Sequence, residues 1–597
     1  MGNPFQYCHL LRQLVFGYPY KIITLTVADK KQPCVLSYGS MIKTQLTRHL
    51  KKSLEKVGVR DENPYLEHPA NETHGDYSTS VPLKYASRLH KSPMKIAEDI
   101  KENFPKNFLV EAIEIVKPGF VNFWISKPAL LEELVRIAEN KDTYGKPQVS
   151  NKKIMLEFGQ PNTHKTPHIG HLFSYIFGES LARILEWEGN QIFRANYQGD
   201  IGLHVAKCLY SVKKKIEEGR RLDDLKKKVD FLQTCYQEGS YQYEHNETAQ
   251  KEIDALNMDI YSHKGIAGEI WDETRSWSVE FYRLFEKKLG IRYDRHYYES
   301  QTSAPGKGIV EKHVGTVFVK SEGAIIFKGE PYGLHTRVFI NKYGNPTYEA
   351  KDVGLISMKK KDYPLDLSLV TTANEQNEYW KVIIKASELV FPELKGKLKH
   401  LGFGMIQLTT GKMASRTGKI IDAFSLVDTV TDEIIRLYKG DRESAEKISL
   451  AAIKYSFLRS EPLKNIVFDL KMSIAKDGDS GPYLLYTYVR TKSILSKNPT
   501  LPSLQTVSID ISGEMGILRK LYRFPEVVEN AAKSYSPHLL AGYLYDLARE
   551  FNLFYQKCPV LKATGEKRTV RIFLTNAVSL ILKSGLNLLG IETVDKM

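Results

Sequence analysis

The sequence predicts a multidomain α/β protein, in which a small α+β domain is followed by a parallel-sheet domain and then by a helical domain. Three observations support this prediction. The chain has 597 residues, and at roughly 100 to 200 residues per domain this length is enough for several domains. A strand, loop, helix, strand pattern begins at residue 153 and is typical of a βαβ unit. From about residue 431 onward the pattern is almost entirely helical.

Composition and charge restrict the class of protein. Hydrophobic residues make up 42% and charged residues 26% of the chain, close to globular averages, and no apolar run approaches the ~18 residues of a membrane span. The formal net charge of +15 favours a polyanionic partner such as nucleic acid. The five cysteines are far apart, which argues against a zinc site and a secreted disulfide framework. We expect a cytoplasmic protein with no membrane partner, although residues 1–28 lack acidic side chains and leave an organellar address open.

The N-terminal part of the chain predicts the α+β domain. Apolar and basic residues alternate at helical spacing over residues 40–57, and a second helical stretch covers residues 81–100. The segment EIVKPGFVNFWI is typical of two short strands around Pro118 and Gly119. We assign this domain to residues 39–126 and leave residues 1–38 as a segment of unclear role.

The parallel-sheet domain is predicted for residues 127–430. KIMLEF is a short apolar strand, GQPNTHKTP is a polar loop, an amphipathic helix follows Pro167, and QIFRANY is the next strand. Ligands of such sheets bind at the carboxyl ends of the strands. A charge-dense helical stretch at about 207–263 is expected to be a solvated insertion, after which strand patterns resume at VFVK, AIIFK, TRVFI and LSLVTTA. Residues 431–597 form the predicted helical domain.

Two histidines stand where the polar loop becomes a helix. The unpaired N–H groups of a helix N-terminus attract phosphate, and His168 and His171 share one helical face. Gly170 leaves room for an adenine ring or a phosphate to approach the backbone. A lone H-x-G-H pattern is more often a structural helix start, so this motif needs support from elsewhere in the chain.

That support comes from a second segment, the glycine-bounded loop GKMASRTGK at residues 411–419. Its three cations are suited to closing over a triphosphate and stabilising the charge that grows as pyrophosphate leaves. Taken alone, an ordinary basic turn is the better interpretation. The two segments in this order are far more specific than either one.

Together the segments resemble the HIGH and KMSKS signatures of class I aminoacyl-tRNA synthetases. The surrounding sequence resembles the arginyl-tRNA synthetase family over nearly the whole chain. HGDYSTSVPLKYASRLHKSPMKIAEDI is similar to the family's N-terminal additional domain, and EFGQPNTHKTPHIGHL to its extended HIGH signature. GDSGPYLLYTYVR and the ending GLNLLGIETVDKM are similar to its helical anticodon-binding domain.

Four positions depart from the family pattern. Gln160 replaces a serine, Phe173 a common arginine and His204 a glutamine, and Ser415 aligns with the second lysine of KMSKS. We predict that Lys165, on the HIGH loop, supplies the missing cation, as the family's variant signatures imply.

The resemblance implies a Rossmann-like catalytic domain that activates L-arginine with ATP and transfers it to tRNA(Arg). Implied catalytic residues are Lys165, His168, His171 and Lys412. Implied ATP-binding residues are His168, Gly170, His171, Lys412, Met413, Ser415 and Arg416. Implied arginine-binding residues are Gln160, Pro161, Asn162, His171, Glu299, Tyr348, Asp352 and Gln376. Implied tRNA-binding residues are Tyr483, Tyr486, Arg490 and Met597. We expect ATP to act with Mg²⁺, no protein-ligated metal, and a monomer.

The chemistry of arginine fits this assignment. A guanidinium is a planar cation with five donors, so a selective pocket needs carboxylates and an aromatic face. The resemblance places Tyr348 and Asp352 on one helical face at an i, i+4 spacing. Such a site rejects poor mimics by factors of about 10⁴ to 10⁵, so no editing site is expected. Two alternatives stay open: another class I synthetase, and a non-catalytic tRNA-binding relative.

Overall fold

The computed structural model of the chain describes residues 41–147, 149–263, 265–408, 422–498, 501 and 510–597, without the side chains of Met41 and Glu72. The predicted segment 1–38 lies outside these residues. The helices are α1 Met41–Lys56, α2 Val81–Leu89, α3 Pro93–Glu102, α4 Lys127–Asn140, α5 Ile169–Trp187, α6 Leu203–Arg220, α7 Leu225–His245, α8 Glu247–Ser262, α9 Gly265–Lys288, α10 Glu299–Lys312, α11 Tyr348–Asp362, α12 Asn377–Val390, α13 Ala423–Tyr438, α14 Arg442–Leu458, α15 Leu470–Ser473, α16 Gly481–Ser496, α17 Met515–Leu521, α18 Phe524–Ser534, α19 Pro537–Lys557 and α20 Gly565–Leu588. The strands are β1 Tyr77–Thr79, β2 Val110–Val116, β3 Phe120–Ile125, β4 Lys153–Glu157, β5 Gln191–Gln198, β6 Arg295–Tyr298, β7 Val319–Ser321, β8 Ala324–Phe327, β9 Arg337–Ile340, β10 Leu367–Ala373, β11 Leu398–Phe403, β12 Ile406–Leu408 and β13 Ile466–Phe468.

The N-terminal domain packs α1 to α3 against an antiparallel sheet of order β1-β3-β2. The single helical stretch predicted over residues 81–100 is wrong, because two helices meet there. His90 ends α2 in the left-handed conformation with φ 50°. Ser92 then caps α3 by accepting from the backbone N–H of Lys95 at 3.2 Å. Pro93 occupies the first turn of α3, where its missing N–H has no helical partner to lose.

A five-stranded sheet of order β11-β10-β4-β5-β6, parallel throughout, forms the centre of the second domain. This confirms the predicted fold class. The helix α5 connects β4 to β5 and is buried along almost its whole length, so the amphipathic pattern after Pro167 indeed marks a core helix. Because the strands run in one direction, the loops after β4, β5, β6 and β10 all emerge at the same edge.

The predicted insertion is helical, but it is not simply a solvated extension. Helices α6 to α9 enclose an apolar core of their own that includes Leu209, Leu232 and Trp271. The Trp271 indole also donates to the carbonyl of Asp200 at 2.7 Å, which ties the insertion to the loop after β5. The sequence prediction missed this apolar core because the segment is so rich in charged residues.

Three of the resumed strand patterns do not join the central sheet. VFVK, AIIFK and TRVFI correspond to β7, β8 and β9, which form a separate antiparallel sheet. Only LSLVTTA, which is β10, enters the parallel sheet, where it lies between β11 and β4.

The C-terminal part is a bundle of helices, as predicted, with one short parallel strand pair, β12 and β13. The proposed boundary at residue 430 falls within α13, which packs against both α14 and α5. Among the described residues, α20 is long and apolar enough to cross a membrane. It is nevertheless a central helix of the bundle, since 72% of its apolar window is buried inside the fold.

Candidate functional site

A cavity of about 590 Å³ opens at the carboxyl edge of the parallel sheet. Its walls come from the segments that follow β4, β5, β6 and β10, where the ends of the strands meet. The structure thereby gathers residues that are up to 246 positions apart in the chain, from Glu157 to Phe403. The predicted residues that line this cavity are Gln160, Asn162, His168, Gly170, His171, Glu299, Tyr348, Asp352 and Gln376.

The two histidines of the HIGH segment form a reciprocal cap at the start of α5. His168 Nδ1 accepts from the backbone N–H of Gly170 at 3.1 Å, and the backbone N–H of His168 donates to His171 Nδ1 at 3.2 Å. The two rings lie 3.8 Å apart between centroids. Because both Nδ1 atoms act as acceptors, the proton of each neutral ring sits on Nε2. Each ring therefore keeps one N–H donor for a ligand oxygen.

Electrostatics favour the neutral form of both rings. Burial, and then the charge of Lys165, lower the pKa of His168. Burial lowers the pKa of His171 further, with His168 and Lys165 adding to the effect. At neutral pH the pair thus acts as hydrogen-bond donors at a helix N-terminus rather than as cations.

Asp352 occupies the opposite wall of the cavity, one turn into α11. Its side chain is buried, and one carboxylate oxygen accepts from the Tyr379 hydroxyl. Burial raises the pKa of Asp352 to about 8, opposed by the Tyr379 hydrogen bond and reinforced by the charges of Glu157 and Glu299. Tyr348, at the first position of α11, is 60% exposed and forms the rim. The predicted pair therefore shares one cavity, with the carboxylate deep and the aromatic ring outside.

Two buried lysines pair with the other buried carboxylates of this cavity. Lys351 Nζ lies 2.8 Å from Glu299 Oε2, and Lys359 pairs with Glu157. Burial raises the pKa of Glu299, while Lys351 opposes the rise. Within the described residues, Asp352 is thus the buried carboxylate of the cavity that has no cation within 4 Å. The environment around it is suited to a cationic ligand.

The remaining predicted residues take different positions. Gln160 has a left-handed backbone with φ 50°, and its side-chain amide donates to Glu157 Oε1 at 2.9 Å. Gln376 is exposed at the mouth of the cavity. Pro161 is buried and does not line the cavity. Its carbonyl instead accepts from the backbone N–H of Gly199 at 3.2 Å, which joins the HIGH loop to the loop after β5.

The loop cation Lys165 also lies beside the cavity rather than in its wall. Its ammonium sits 4.4 Å from the centroid of the Tyr236 ring on α7. The positive charge of Lys165 nevertheless contributes to the lowered pKa values of both histidines. The predicted residues Lys412, Met413, Ser415 and Arg416 lie outside the described residues.

Two departures from the family pattern have local explanations. Phe173 is buried and packs edge-on against Phe403, with centroids 4.9 Å apart, so this position holds a core residue. His204 Nε2 lies 3.3 Å from the carbonyl of Gly199. Burial lowers the pKa of His204 to about 3, so the neutral ring donates to that carbonyl, as a glutamine amide would.

Several lining residues were missed at the level of sequence. Tyr379 and Trp380 follow the recognised Gln376 by three and four positions, and Tyr197 is the second-last residue of β5. The Tyr197 hydroxyl lies 2.8 Å from Thr302 Oγ1. Aromatic residues at the carboxyl end of a strand were the available signal, but such residues equally fit a core.

In the helical domain, the predicted tRNA-binding residues of α16 form one half-buried polar cluster. Arg490 Nη2 donates to the Tyr486 hydroxyl at 2.7 Å, and its guanidinium lies 4.6 Å from the Tyr486 ring centroid. Asn552 on α19 accepts from Arg490 and donates to the Tyr483 hydroxyl at 2.9 Å. Met597 is half-buried against the main core. The cluster keeps Tyr483, Tyr486 and Arg490 together on one side of the bundle.

Family models match three successive parts of the chain. The arginyl tRNA synthetase N-terminal domain matches residues 42–125, the catalytic domain of class I (R) tRNA synthetases matches residues 133–470, and the DALR anticodon binding domain matches residues 484–597.

Curated relatives and solved structures give the same picture. The arginine–tRNA ligase of Treponema denticola is 30% identical over 560 residues, covering 89% of this chain and 94% of that protein. The Parabacteroides distasonis ligase is 30% identical over 559 residues, covering 87% and 93%. The Thermus thermophilus arginyl-tRNA synthetase structure has a TM-score of 0.79 and 24% identity, covering 93% of this chain and all of that one. The Plasmodium falciparum arginyl-tRNA synthetase structure has a TM-score of 0.76 and 20% identity, covering 94% and 100%. The structural matches indicate a shared fold.

Proposed function

The chain belongs to the arginyl-tRNA synthetase family, and we propose that it joins L-arginine to tRNA(Arg) in two steps, of which the first consumes ATP. In the first step a carboxylate oxygen of arginine attacks the α-phosphate of ATP, and pyrophosphate leaves. In the second step a ribose hydroxyl at the end of the tRNA attacks the arginyl carbonyl, and AMP leaves. The enzyme contributes mainly by positioning the reactants and stabilising charge.

The observation that carries this proposal is the uncompensated carboxylate of Asp352. A guanidinium placed against Asp352 provides the missing cation, and its planar donors match a carboxylate well. Tyr348 at the rim offers an aromatic face to the same group. Glu299 holds a second carboxylate in the same wall, already neutralised by Lys351. A neutral amino acid would leave Asp352 without a partner and bind poorly.

The nucleotide belongs at the other wall, against the start of α5. The Nε2 donors of His168 and His171 lie beside the free N–H groups of the helix, so phosphate oxygens meet several donors at once. Gly170 allows the closest approach of a ligand to this helix start, since a side chain there would meet His168 at 3.0 Å. Mg²⁺ enters with the nucleotide, and Lys412 and Lys165 add positive charge as pyrophosphate leaves.

The partner tRNA extends from this cavity to the helical domain. We place the anticodon against Tyr483, Tyr486 and Arg490, because unpaired bases stack on aromatic rings while cations hold phosphates. Met597 belongs to the same proposed surface. We further propose residues 39–126, 127–430 and 431–597 as the three functional domains, a monomeric state and a cytoplasmic location.

A charging assay tests the proposal. The full chain is incubated with ATP, total tRNA and a panel of amino acids, and the charged tRNA is quantified for each. We expect arginine to be attached and lysine, ornithine and citrulline to be rejected. Charging of another amino acid would assign the chain to a different class I activity. Binding of tRNA without any charging would instead indicate a non-catalytic relative.

A further inference from the structure

A second cavity lies at the opposite edge of the parallel sheet. It has a volume of about 1000 Å³ and is lined by Trp187, which ends α5 ahead of β5, and by residues 290–293, which lead into β6. These are the amino ends of the strands, whereas the cavity lined by Asp352 and His168, which we call the arginine cavity, lies at their carboxyl ends. The cavity is closed on its other sides by residues 142 and 146 and by the C-terminal half of α20. We call this cavity the amino-edge groove.

Cations from three separate elements face the amino-edge groove. Arg283 and Lys287 lie one turn apart on α9, Lys583 lies on α20, and Lys146 lies in the segment between α4 and β4. The Lys146 ammonium sits 4.7 Å from the centroid of the Trp187 ring, which holds it over the apolar floor. Like charges that converge from independent elements repel each other, so their arrangement favours an anion between them.

The carboxylates of the groove neutralise only one of these four cations, Lys583. Glu179 and Glu186 both bind the buried Arg194, at 2.9 Å from its Nε and Nη2 respectively. Glu286 is held by Asn196 and His296, each at 2.8 Å. Asp142 pairs with Lys583 across the rim at 3.1 Å.

Three cations of the amino-edge groove therefore have no carboxylate partner among the described residues. In the part of the chain that the structure describes, Lys146, Arg283 and Lys287 make no ion pair.

The groove continues into a smaller cavity of about 300 Å³ that shares Arg183, Lys287 and Gly290. Lys454 lines this extension and is buried. Its ammonium donates to two backbone carbonyls, those of Leu289 at 2.8 Å and Gly590, and makes no ion pair among the described residues. A buried ammonium without a carboxylate adds to the positive potential of the groove.

We propose that the amino-edge groove is a second phosphate site, which binds a polyphosphate-bearing small molecule away from the site of arginine activation. Arg and Lys are the usual ligands of phosphate oxygens. The groove is enclosed on several sides and has the volume typical of small-molecule sites, about 300 to 1,000 Å³. It lies at the sheet edge opposite the cavity that the acceptor end of tRNA must enter, which favours a small ligand over the tRNA backbone.

Inorganic tripolyphosphate is a direct probe of this site. The arginine cavity of the full chain is first filled with a non-hydrolysable arginyl-adenylate analogue, and tripolyphosphate is then titrated by calorimetry. The test variant is Lys146→Gln with Lys287→Gln. The matched control is Lys320→Gln with Lys361→Gln, two exposed lysines of β7 and α11 that also make no ion pair within the described residues.

We expect the wild type and the control to bind one equivalent of tripolyphosphate that the test variant lacks or binds about tenfold more weakly. The estimate assumes that each exposed cation contributes about threefold to the affinity. Binding should weaken with added salt, and bound tripolyphosphate should protect Lys146 and Lys287 from amine-labelling reagents. Equal binding by all three proteins overturns the proposal. A test variant that binds tripolyphosphate normally but tRNA about tenfold more weakly also overturns it, since the cations would then serve the tRNA backbone.

Discussion

Two buried carboxyl groups in different regions of the molecule have pKa values that are shifted in opposite directions. Glu526 on α18 lies where the N-terminal domain meets the helical bundle, with Lys43 Nζ at 3.0 Å and His68 Nε2 at 3.3 Å. Burial would raise its pKa, but His68, Lys43 and the Tyr77 hydroxyl lower the pKa of Glu526 to about 2. Asp352 is buried to a similar degree, and burial raises its pKa to about 8 because the Tyr379 hydrogen bond and the charge of Lys359 do not offset it.

The difference separates a structural carboxylate from a binding carboxylate. At Glu526 the chain supplies Lys43, His68 and the Tyr77 hydroxyl from the neighbouring domain, so the interaction is complete in the folded protein. At Asp352 the chain supplies one direct hydrogen bond, from the Tyr379 hydroxyl, and Lys359 acts on it while paired with Glu157, so a direct ionic partner must come from outside. The sign of the missing charge then indicates the ligand: a cation at the arginine cavity and an anion at the amino-edge groove.

Removing the charge of Asp352 provides the strongest test of this comparison. Asp352→Asn keeps the shape of the side chain, and we expect arginine affinity to fall by about 2 to 5 kcal/mol, as for one partner of a buried charge pair. At neutral pH the melting temperature should stay unchanged or rise slightly, because a carboxyl group that burial keeps protonated is replaced by a neutral amide of the same shape. Calorimetric titration with arginine and thermal melting measure the two quantities. Glu375→Gln, at an exposed carboxylate lining the same cavity, is the control and should change affinity little. An Asp352→Asn variant with normal arginine affinity would move the guanidinium site elsewhere.

For Glu526→Gln we expect a loss of stability. The free energy of unfolding should fall by about 3 kcal/mol at neutral pH, following from a pKa lowered from 4.5 to about 2. Because the folded pKa is the lower one, this stabilisation is complete above about pH 4.5 and is lost as the pH falls toward 2. Denaturant unfolding of both proteins across this range should show the gap closing. Glu529→Gln, at a half-buried carboxylate one turn along α18 that pairs with the exposed Lys533, should change stability by no more than about 0.5 kcal/mol. A pH-independent gap would refute the electrostatic explanation.

Tyr486 lies in a third region, the polar cluster on α16. Its partner Arg490 has polar neighbours but no carboxylate partner among the described residues, so the electrostatics there are intermediate between those of Glu526 and Asp352. We expect Tyr486→Ala to weaken tRNA binding by about 1 to 3 kcal/mol, the usual contribution of one stacked base. Tyr486→Phe keeps the ring and should bind tRNA normally. Filter binding gives the affinities, and thermal melting shows whether the bundle remains folded. If Tyr486→Ala binds tRNA normally, or loses affinity only with a large drop in melting temperature, the tyrosine is a packing residue.

The smallest expected effect is a pH dependence of arginine binding. Below its pKa of about 8, Asp352 is protonated in the empty cavity, and arginine must displace that proton. Affinity should therefore rise about tenfold between about pH 6.5 and 8 and then level off. Titrations in buffers of different ionisation enthalpy should also detect the released proton. Asp352→Asn should remove the dependence. A flat profile in the wild type would mean that Asp352 is already ionised without its ligand.

The sequence supported the fold and much of the cavity for identifiable physical reasons. The spacing of apolar residues after Pro167 predicted α5, because one buried helical face imposes that spacing. Family resemblance placed Glu299, Tyr348 and Asp352, and the structure brings all three into one cavity. Their binding roles stay predictions.

Partnerships across long sequence separations could not be predicted. Lys351 pairs with Glu299, which is 52 positions away, and Lys359 with Glu157, which is 202 positions away. No local pattern distinguishes these lysines from solvated ones. For the same reason, the sequence could not indicate that Asp352 lacks a cation. The break at residues 90–92 was missed because apolar spacing continues across it, although Ser92 and Pro93 were the local signal.

The contact between α5 and α20 has a consequence for synthesis of the chain. Ser180 Oγ donates to the carbonyl of Leu588 at 3.1 Å, and the two residues are 408 positions apart. At about 5 to 20 residues per second, the ribosome needs roughly 20 to 80 seconds to produce the helix that covers this part of α5. The helix capped by His168 therefore keeps part of its far end uncovered until residue 588 has been synthesised. A messenger truncated before the codon of Leu588 would yield a chain with every residue of the arginine cavity but without this cover of its central helix.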